Sequence, residues 1–283
     1  MMQTIDVERR PVAPSVLKQT PSVDHGSRVL RAPITVVESG RPIMRALHLG
    51  VPEAFRIACE RAKTTTGTRT RGLVATSASF GTMSRSVFAN YCRSASMARE
   101  MPAEHAALTR QAITLTEMYR EFDPGGLDRY TAATSAIAEE WRMHGTPYTS
   151  GNVNKNDVLS YHLDVGNTRD GSSAMMVVRE RCTGGELVFP ELGISFDLQD
   201  GDAIIFDGRE TWHGVTPIVA GLGGYRTSVV YYSLRSAWQC IPWAAELALA
   251  KVHATRKARK DARKPSCDCI GPCRLACRRV LGE

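Results

Sequence analysis

The 283-residue chain has no apolar run approaching the ~20 residues that a membrane-spanning helix requires. Its first residues, MMQTIDVERRPVAPSV, hold no apolar segment of the kind found in secretory signals, so a cytoplasmic protein is expected. No internal repeat occurs, and no pair of CxxC knuckles. Eight Cys are present, but Cys59, Cys92, Cys182 and Cys240 are scattered singly. Scattered Cys without a signal point to reduced thiols rather than a disulfide framework. Acidic residues are in the minority, 29 against 36 Lys and Arg, which leaves a net charge of +7. Such a balance favours an acidic partner, nucleic acid being the common one, although a basic tail on a neutral enzyme gives the same total. Hydrophobic residues make up 43%, enough for a sizeable core.

Residues 1–45 mix Pro, Ser, Val and charge without a sustained period. They read as a mostly irregular arm with one strand near Ile34–Val37. Residues 46–145 read as a helical part. Pro52-Glu53 opens a helix through Phe55, Ile57, Ala58 and Ala62, and TTTGTRTRG, with Arg69 and Arg71, reads as a loop. Leu108, Ile113, Leu115, Met118 and Tyr119 predict an amphipathic helix, with Pro102 in its first turn and Asp123-Pro124-Gly125-Gly126 as its stop. Tyr130, Ala133, Ile137, Ala138 and Trp141 predict a second. His105 and His144 have no partner at metal spacing and read as packing or surface residues.

From residue 146 to 250 the pattern is different. AMMVVRERC, GGELVFPE, GISFDL, DAIIFD and TSVVYYSL are short runs separated by Gly, Asp or Pro. Regular short strands of this kind predict an antiparallel sandwich or barrel, and with the preceding helices an α+β fold. Beyond Ser236 the pattern turns helical, with Trp238, Ile241, Trp243, Leu247 and Leu249 expected to pack on the barrel. Residues 251–283 form a basic, Cys-rich tail. Seven Lys or Arg and one Asp lie between Lys251 and Lys264, a stretch suited equally to a phosphate backbone or to a solvated tail. Cys267, Cys269, Cys273 and Cys277 follow the spacing C-x-C-x3-C-x3-C, which could hold one zinc ion. Arg274, Arg278 and Arg279 add charge there.

The chemistry concentrates between Tyr161 and Tyr232. On a strand, His162 and Asp164 aim to one side. With a later His213 they form the two-His, one-carboxylate set that binds Fe(II) on one face and leaves positions open. Arg226, Ser228 and Tyr232 share a face by alternation. Arg226 can hold a carboxylate through two parallel hydrogen bonds, with Ser228 adding a third, as the far end of 2-oxoglutarate would need. A zinc site would want thiolates or a Glu base here, and neither is present.

These motifs resemble the TET/JBP family of 2-oxoglutarate- and Fe(II)-dependent nucleic-acid base dioxygenases, in particular bacteriophage-type members. The likeness runs from about residue 85 to 245 and includes NYCRSASMA and GTPYTSGNVNKN. It implies a double-stranded β-helix, the jelly-roll or cupin-like core, with N-terminal and flanking helices. It implies Fe(II) at His162, Asp164 and His213, 2-oxoglutarate at Arg226 and Ser228, and O2 and DNA as partners. Asn154, Lys155 and Asn156 are candidates for the other end of 2-oxoglutarate. By the same resemblance Asn167 contacts a flipped base and Tyr232 stacks on it, as base access in a duplex demands. Leu234 stands where animal members place a base-contacting His. The implied reaction is hydroxylation of the methyl group of 5-methylcytosine, with thymine as the alternative. A prolyl-hydroxylase-like oxygenase, which commonly has Lys at the place of Arg226, and a non-catalytic DNA-binding barrel are the competing readings.

Overall fold

A computed structural model describes residues 2–26, 28–68, 74–86 and 89–262. The expected zinc ligands Cys267, Cys269, Cys273 and Cys277 lie outside these residues, as do Arg69, Arg71, Arg274, Arg278 and Arg279.

The N-terminal stretch supplies β1 (Gln3–Val7), β2 (Arg28–Leu30), β3 (Ile34–Glu38) and β4 (Arg41–His48). It is therefore not the mostly irregular arm expected. Its strands are short and some lie at sheet edges, so the period-2 pattern is faint. Next come α1 (Glu53–Arg61), β5 (Thr65–Thr68), β6 (Val74–Met83), β7 (Arg93–Ser94), α2 (Ser96–Glu100), α3 (Pro102–Phe122) and α4 (Pro124–Thr134). Part of the expected Thr/Gly/Arg loop is strand, since Thr65–Thr68 pairs with Val74–Ser77. Asp123 ends α3 and also caps α4, accepting a bond from the Gly126 N–H. The second helix stops at Thr134, and Trp141 sits in a separate 3-10 turn, Glu139–Trp141.

The barrel strands are β8 (Ser150–Lys155), β9 (Leu159–His162), β10 (Ser173–Gly184), β11 (Leu187–Phe189), β12 (Ile194–Phe196), β13 (Asp202–Phe206), β14 (His213–Val215) and β15 (Ile218–Tyr232). A final helix, α5, spans Trp243–Ala262. The large sheet runs β1-β3-β4-β13-β10-β15-β8-β6-β5, with β7 on β6, and the small one β2-β12-β11-β14-β9. The two form the walls of the expected double-stranded β-helix.

Alternation along the strands sorts side chains into two cores. Ala174, Met176, Val178, Ile205, Val229 and Tyr231 leave the large sheet on one side and pack against Phe55, Leu108, Leu115 and Tyr119 of the helices. Met175, Val177, Ile204 and Phe206 point the other way, against Phe189, Ile194, Phe196 and Val215 of the small sheet. Burying each such side chain is worth about 1.5–3 kcal/mol. The helices thus stiffen the back of the sheet and leave its inner face free for the site.

Two further expectations are corrected. Cys92 and Cys240 form a disulfide across 148 residues, whereas Cys59 and Cys182 are free thiols. The two segments meet on a small cluster with Ile137, Trp141 and Ala237, a meeting that no local spacing encodes. Ile241, Trp243, Leu247 and Leu249 do not pack on the barrel but are exposed, Leu247 by 46%. Trp238 packs instead on that small cluster, its N–H bonded to the Ala133 carbonyl, and the half-exposed Trp243 ring lies against Trp141 of the same cluster with centroids 5.2 Å apart. His105 accepts a hydrogen bond from the Gly81 N–H and His144 is exposed, as expected of packing and surface residues.

Candidate active site

The small sheet places the two histidines. β9 and β14 run antiparallel with His162 directly opposite His213, and the ring centroids lie 4.3 Å apart. His162 ends its strand, so Asp164 lies beyond it rather than within it. Its position is set instead by its backbone N–H, which donates to the Gly208 carbonyl at 2.8 Å. The His162 Nε2 to Asp164 Oδ1 distance is 3.7 Å, and His213 Nε2 to Asp164 Oδ2 is 3.9 Å.

Each imidazole is oriented through its other nitrogen. His162 Nδ1–H donates to the Ser160 carbonyl at 2.8 Å, and His213 Nδ1–H to the Thr211 carbonyl at 2.9 Å. A carbonyl can only accept, so both Nε2 lone pairs are turned toward the space shared with Asp164. Burial, aided by neighbouring His162, pushes the His213 pKa down to about 4, so its ring is neutral at neutral pH. Phe189 and Phe206 flank that ring. Two imidazoles and one carboxylate, with ligand atoms all within 4.8 Å, fit Fe(II).

The large sheet places the second group. Arg226 on β15 is 1% exposed, yet its Nε and Nη2 have no hydrogen-bond partner among the described residues. Burial and the nearby Arg179 lower its pKa to about 10. A buried guanidinium with open donors is costly unless an anion joins it, so the residue suits the distal carboxylate of 2-oxoglutarate. Gly185, at φ +78°, lets the chain pass against this side chain: a Cβ there would come within 2.6 Å of Arg226 Nε. Ser228, two residues further on, lines a cleft of about 1330 Å³ together with the three metal-ligand candidates.

The remaining candidates separate. Asn154 is buried, lines the cleft and lies opposite Ser228 in register. Asn156 also lines the cleft, and its Oδ1 accepts the Arg226 backbone N–H at 2.7 Å, so this side chain helps to seat Arg226. Lys155 turns outward, bonding the Glu60 carbonyl. Tyr232 lines the cleft and its hydroxyl accepts a bond from Asn152 Nδ2 at 2.7 Å. Asn167 is buried, and its amide donates to Ser173 Oγ at 3.2 Å and approaches Asp164 Oδ2 at 3.4 Å. Leu234 forms a backbone bridge with Asn167 and adds apolar surface to the cleft.

Three contributors carried no signal in the sequence. Arg209 donates to the carbonyls of Val165 and Asn167 and holds the loop after Asp164. Glu191 accepts from the Trp212 N–H beside His213 and from Arg9 in the N-terminal stretch. Ser79 donates to Asn152, which supports Tyr232. All three act across the fold, between residues far apart in the chain.

Known proteins carry the same architecture. The NgTET1 structure in complex with 5mC DNA superposes with a TM-score of 0.54 at 13% identity, covering 81% of this chain and 90% of that one. The thymine dioxygenase JBP1 of Leishmania infantum is 30% identical over 121 residues, 42% of this chain and 14% of its own length. The bifunctional helicase and thymine dioxygenase JBP2 of the same organism is 33% identical over 98 residues, 34% of this chain and 9% of its own. The chain thus spans only a small fraction of these curated relatives. The Tet_JBP model, described as the oxygenase domain of the 2OGFeDO superfamily, matches residues 83–235, more than half of the chain. With its two histidines, carboxylate and buried arginine in place, the chain belongs to the TET/JBP family of 2-oxoglutarate- and Fe(II)-dependent dioxygenases.

Proposed function

We propose that the protein hydroxylates the 5-methyl group of a pyrimidine in DNA. The observation that carries this reading is the joining, in one cleft, of the metal-ligand set, the Ser228 hydroxyl and the aromatic face of Tyr232. When bound, iron and 2-oxoglutarate supply oxidation of an unactivated C–H bond by O2, coupled to release of succinate and CO2. The chain's own residues supply geometry. His162, Asp164 and His213 hold the metal, and Phe189 and Phe206 keep water from its His213 side. Arg226 and Ser228 fix the distal carboxylate, and buried Asn154 lies across the strand pair beside them. Tyr232, its hydroxyl tethered by Asn152, offers a face on which an extruded base stacks. Asn167 lies between Asp164 and the Leu234 surface and bounds the same space.

Thymine is the favoured base. The named activity of the relatives at 30–33% identity is thymine dioxygenation. Leu234 also puts an apolar surface where a cytosine-reading His would stand. The second reading, 5-methylcytosine, draws on the likeness to a TET protein solved with 5mC DNA.

The test incubates the protein with Fe(II), 2-oxoglutarate and duplex DNA, either unmodified or carrying 5-methylcytosine, and reads nucleosides by mass spectrometry. Hydroxymethyluracil supports thymine and hydroxymethylcytosine supports the second reading. Succinate release that leaves every nucleoside unchanged rejects both. In the same assay Arg226→Lys raises the KM for 2-oxoglutarate about 10- to 100-fold, about 1.4–2.8 kcal/mol, because a point charge cannot replace the two-pronged contact.

A further inference from the structure

The site leaves the charge of the chain unused, and that charge is placed very unevenly. Residues 1–250 contain 26 Lys and Arg and 26 Asp and Glu, so this body is neutral. The whole net charge of +7 lies in residues 251–283, and +4 of it falls in residues 251–262, the distal half of α5. A neutral body has little long-range attraction for a polyanion. If DNA is the substrate, its phosphates must be met from elsewhere.

The root of α5 sits at the rim of the cleft. Thr82 and Met83 line the cleft, Ser84 then hydrogen-bonds Ser236, and Arg85 pairs with Glu246 of α5 at 2.8 Å. From the other side, Leu234 and Arg235 line the cleft and lead through a 3-10 turn into the helix. Glu246 also accepts from the Cys92 and Ile241 N–H groups, and His253 stacks edge-on to Tyr91. The proximal turns, 243–250, hold no basic residue, whereas Lys251 and Arg256 are exposed beyond them. At about 1.5 Å per residue the basic half is about 18 Å long, and a duplex carries one phosphate per about 1.7 Å over such a length.

We propose that residues 251–262 of α5 form the phosphate-backbone contact of this enzyme, a cationic rod anchored at the cleft rim that holds nucleic acid while a base enters. The proposal rests on the DNA-base reading for its biological meaning. The contact is independent of sequence, because phosphates position the duplex and bases specify it.

The experiment uses the full-length protein with Lys251→Gln, Arg256→Gln, Lys257→Gln, Arg259→Gln and Lys260→Gln combined. Gln keeps helix propensity and removes only charge. Binding to a fluorescent 20-base-pair duplex is measured from 50 to 200 mM salt. The slope of log affinity against log salt falls by about three to five in magnitude, close to one for each phosphate no longer neutralised, and affinity at 150 mM drops about 10- to 100-fold. DNA-independent succinate formation and Fe(II) affinity stay unchanged, which shows an intact site. An unmoved slope and affinity overturn the proposal. So does loss of binding to phosphatidylserine vesicles with DNA binding untouched, since the rod would then be a membrane contact. If the variant loses DNA binding but wild type oxidises no base, the contact stands and the base-oxidation reading fails. If wild type oxidises a base and the slope is unmoved, only the contact fails.

Discussion

Gly208 has no side chain because Asp164 occupies the space one would need. A Cβ at this position would lie 2.7 Å from Asp164 Oδ2, 3.2 Å from Phe206 and 3.3 Å from the His213 ring. The same residue accepts the Asp164 N–H through its carbonyl, so it governs both the backbone and the side chain of the carboxylate ligand. Gly208→Ala is therefore expected to lower Fe(II) affinity about 10- to 100-fold, the usual size of a disturbed metal support, with the far-ultraviolet circular dichroism unchanged. Metal titration checks this, and wild-type affinity in the variant would contradict it. At this scale the sequence is informative where residue type alone limits chemistry. Two His, one Asp and an Arg-x-Ser have few joint uses, so the ligand set and Arg226 were legible. The direction of a side chain was not. Asn167 turns toward Ser173 and Asp164, only six and three residues away, because the loop between Asp164 and the start of β10 folds back on itself, a backbone path that residue type does not reveal.

At the scale of elements, the one buried side chain in the proximal turns of α5 is a carboxylate that ties three segments together. Glu246 is 1% exposed and accepts hydrogen bonds from Arg85, the Cys92 N–H and the Ile241 N–H. Burial alone would raise its pKa, but the Arg85 guanidinium and the two N–H groups outweigh that and hold the carboxyl below its ordinary 4.5. A carboxylate with a lowered folded-state pKa stabilises fully above its unfolded value, and this contribution disappears as pH falls through the folded value. Denaturant unfolding from pH 7 to pH 3 should therefore show an acid-side loss of stability that Glu246→Gln diminishes. Glu246→Ala strands Arg85 and two backbone donors, and should cost about 3 kcal/mol at pH 7. Parallel pH profiles for wild type and Glu246→Gln would remove this account of the helix root. The long helix α3 and the strands β10, β13 and β15 were visible because their apolar period is clean. β6 was not, since VATSASFGTM alternates small polar and small apolar residues whose partners, Gly151 and Asn152 among them, come from β8. The apolar residues near α5 misled for a related reason. Trp238, before the helix, and Trp243, in its first turn, meet the small cluster around Trp141, whereas the fully buried side chain of α5 is charged, Glu246.

At the scale of the molecule, the N-terminal stretch belongs to both walls of the barrel. β3 and β4 extend the large sheet beyond β13, β1 pairs with β3, and β2 adds to the small sheet beside β12. Ile5, Leu30, Ile34, Val36 and Met44 are buried in the same core as Phe189 and Phe206, the two rings beside His213. Arg9 reaches Glu191, which in turn accepts the Trp212 N–H. Five buried side chains at about 1.5–3 kcal/mol each amount to roughly 10 kcal/mol, comparable to the whole stability of a typical domain at about 5–15 kcal/mol. A chain lacking residues 1–45 also leaves β13 and β12 with open edges that invite aggregation. It should accordingly show no cooperative thermal transition and no saturable Fe(II) binding, although every metal-ligand candidate and Arg226 are retained. Calorimetry and metal titration of the truncated protein decide the matter: a two-state transition with near-normal iron affinity would mean that the stretch only decorates a barrel folding without it. The composition of residues 1–45 suggested a mostly irregular arm, because β2 and β4 find partners 150 or more residues away in β12 and β13, and the local β3–β4 hairpin and the β1–β3 pair are too short to leave a sustained period.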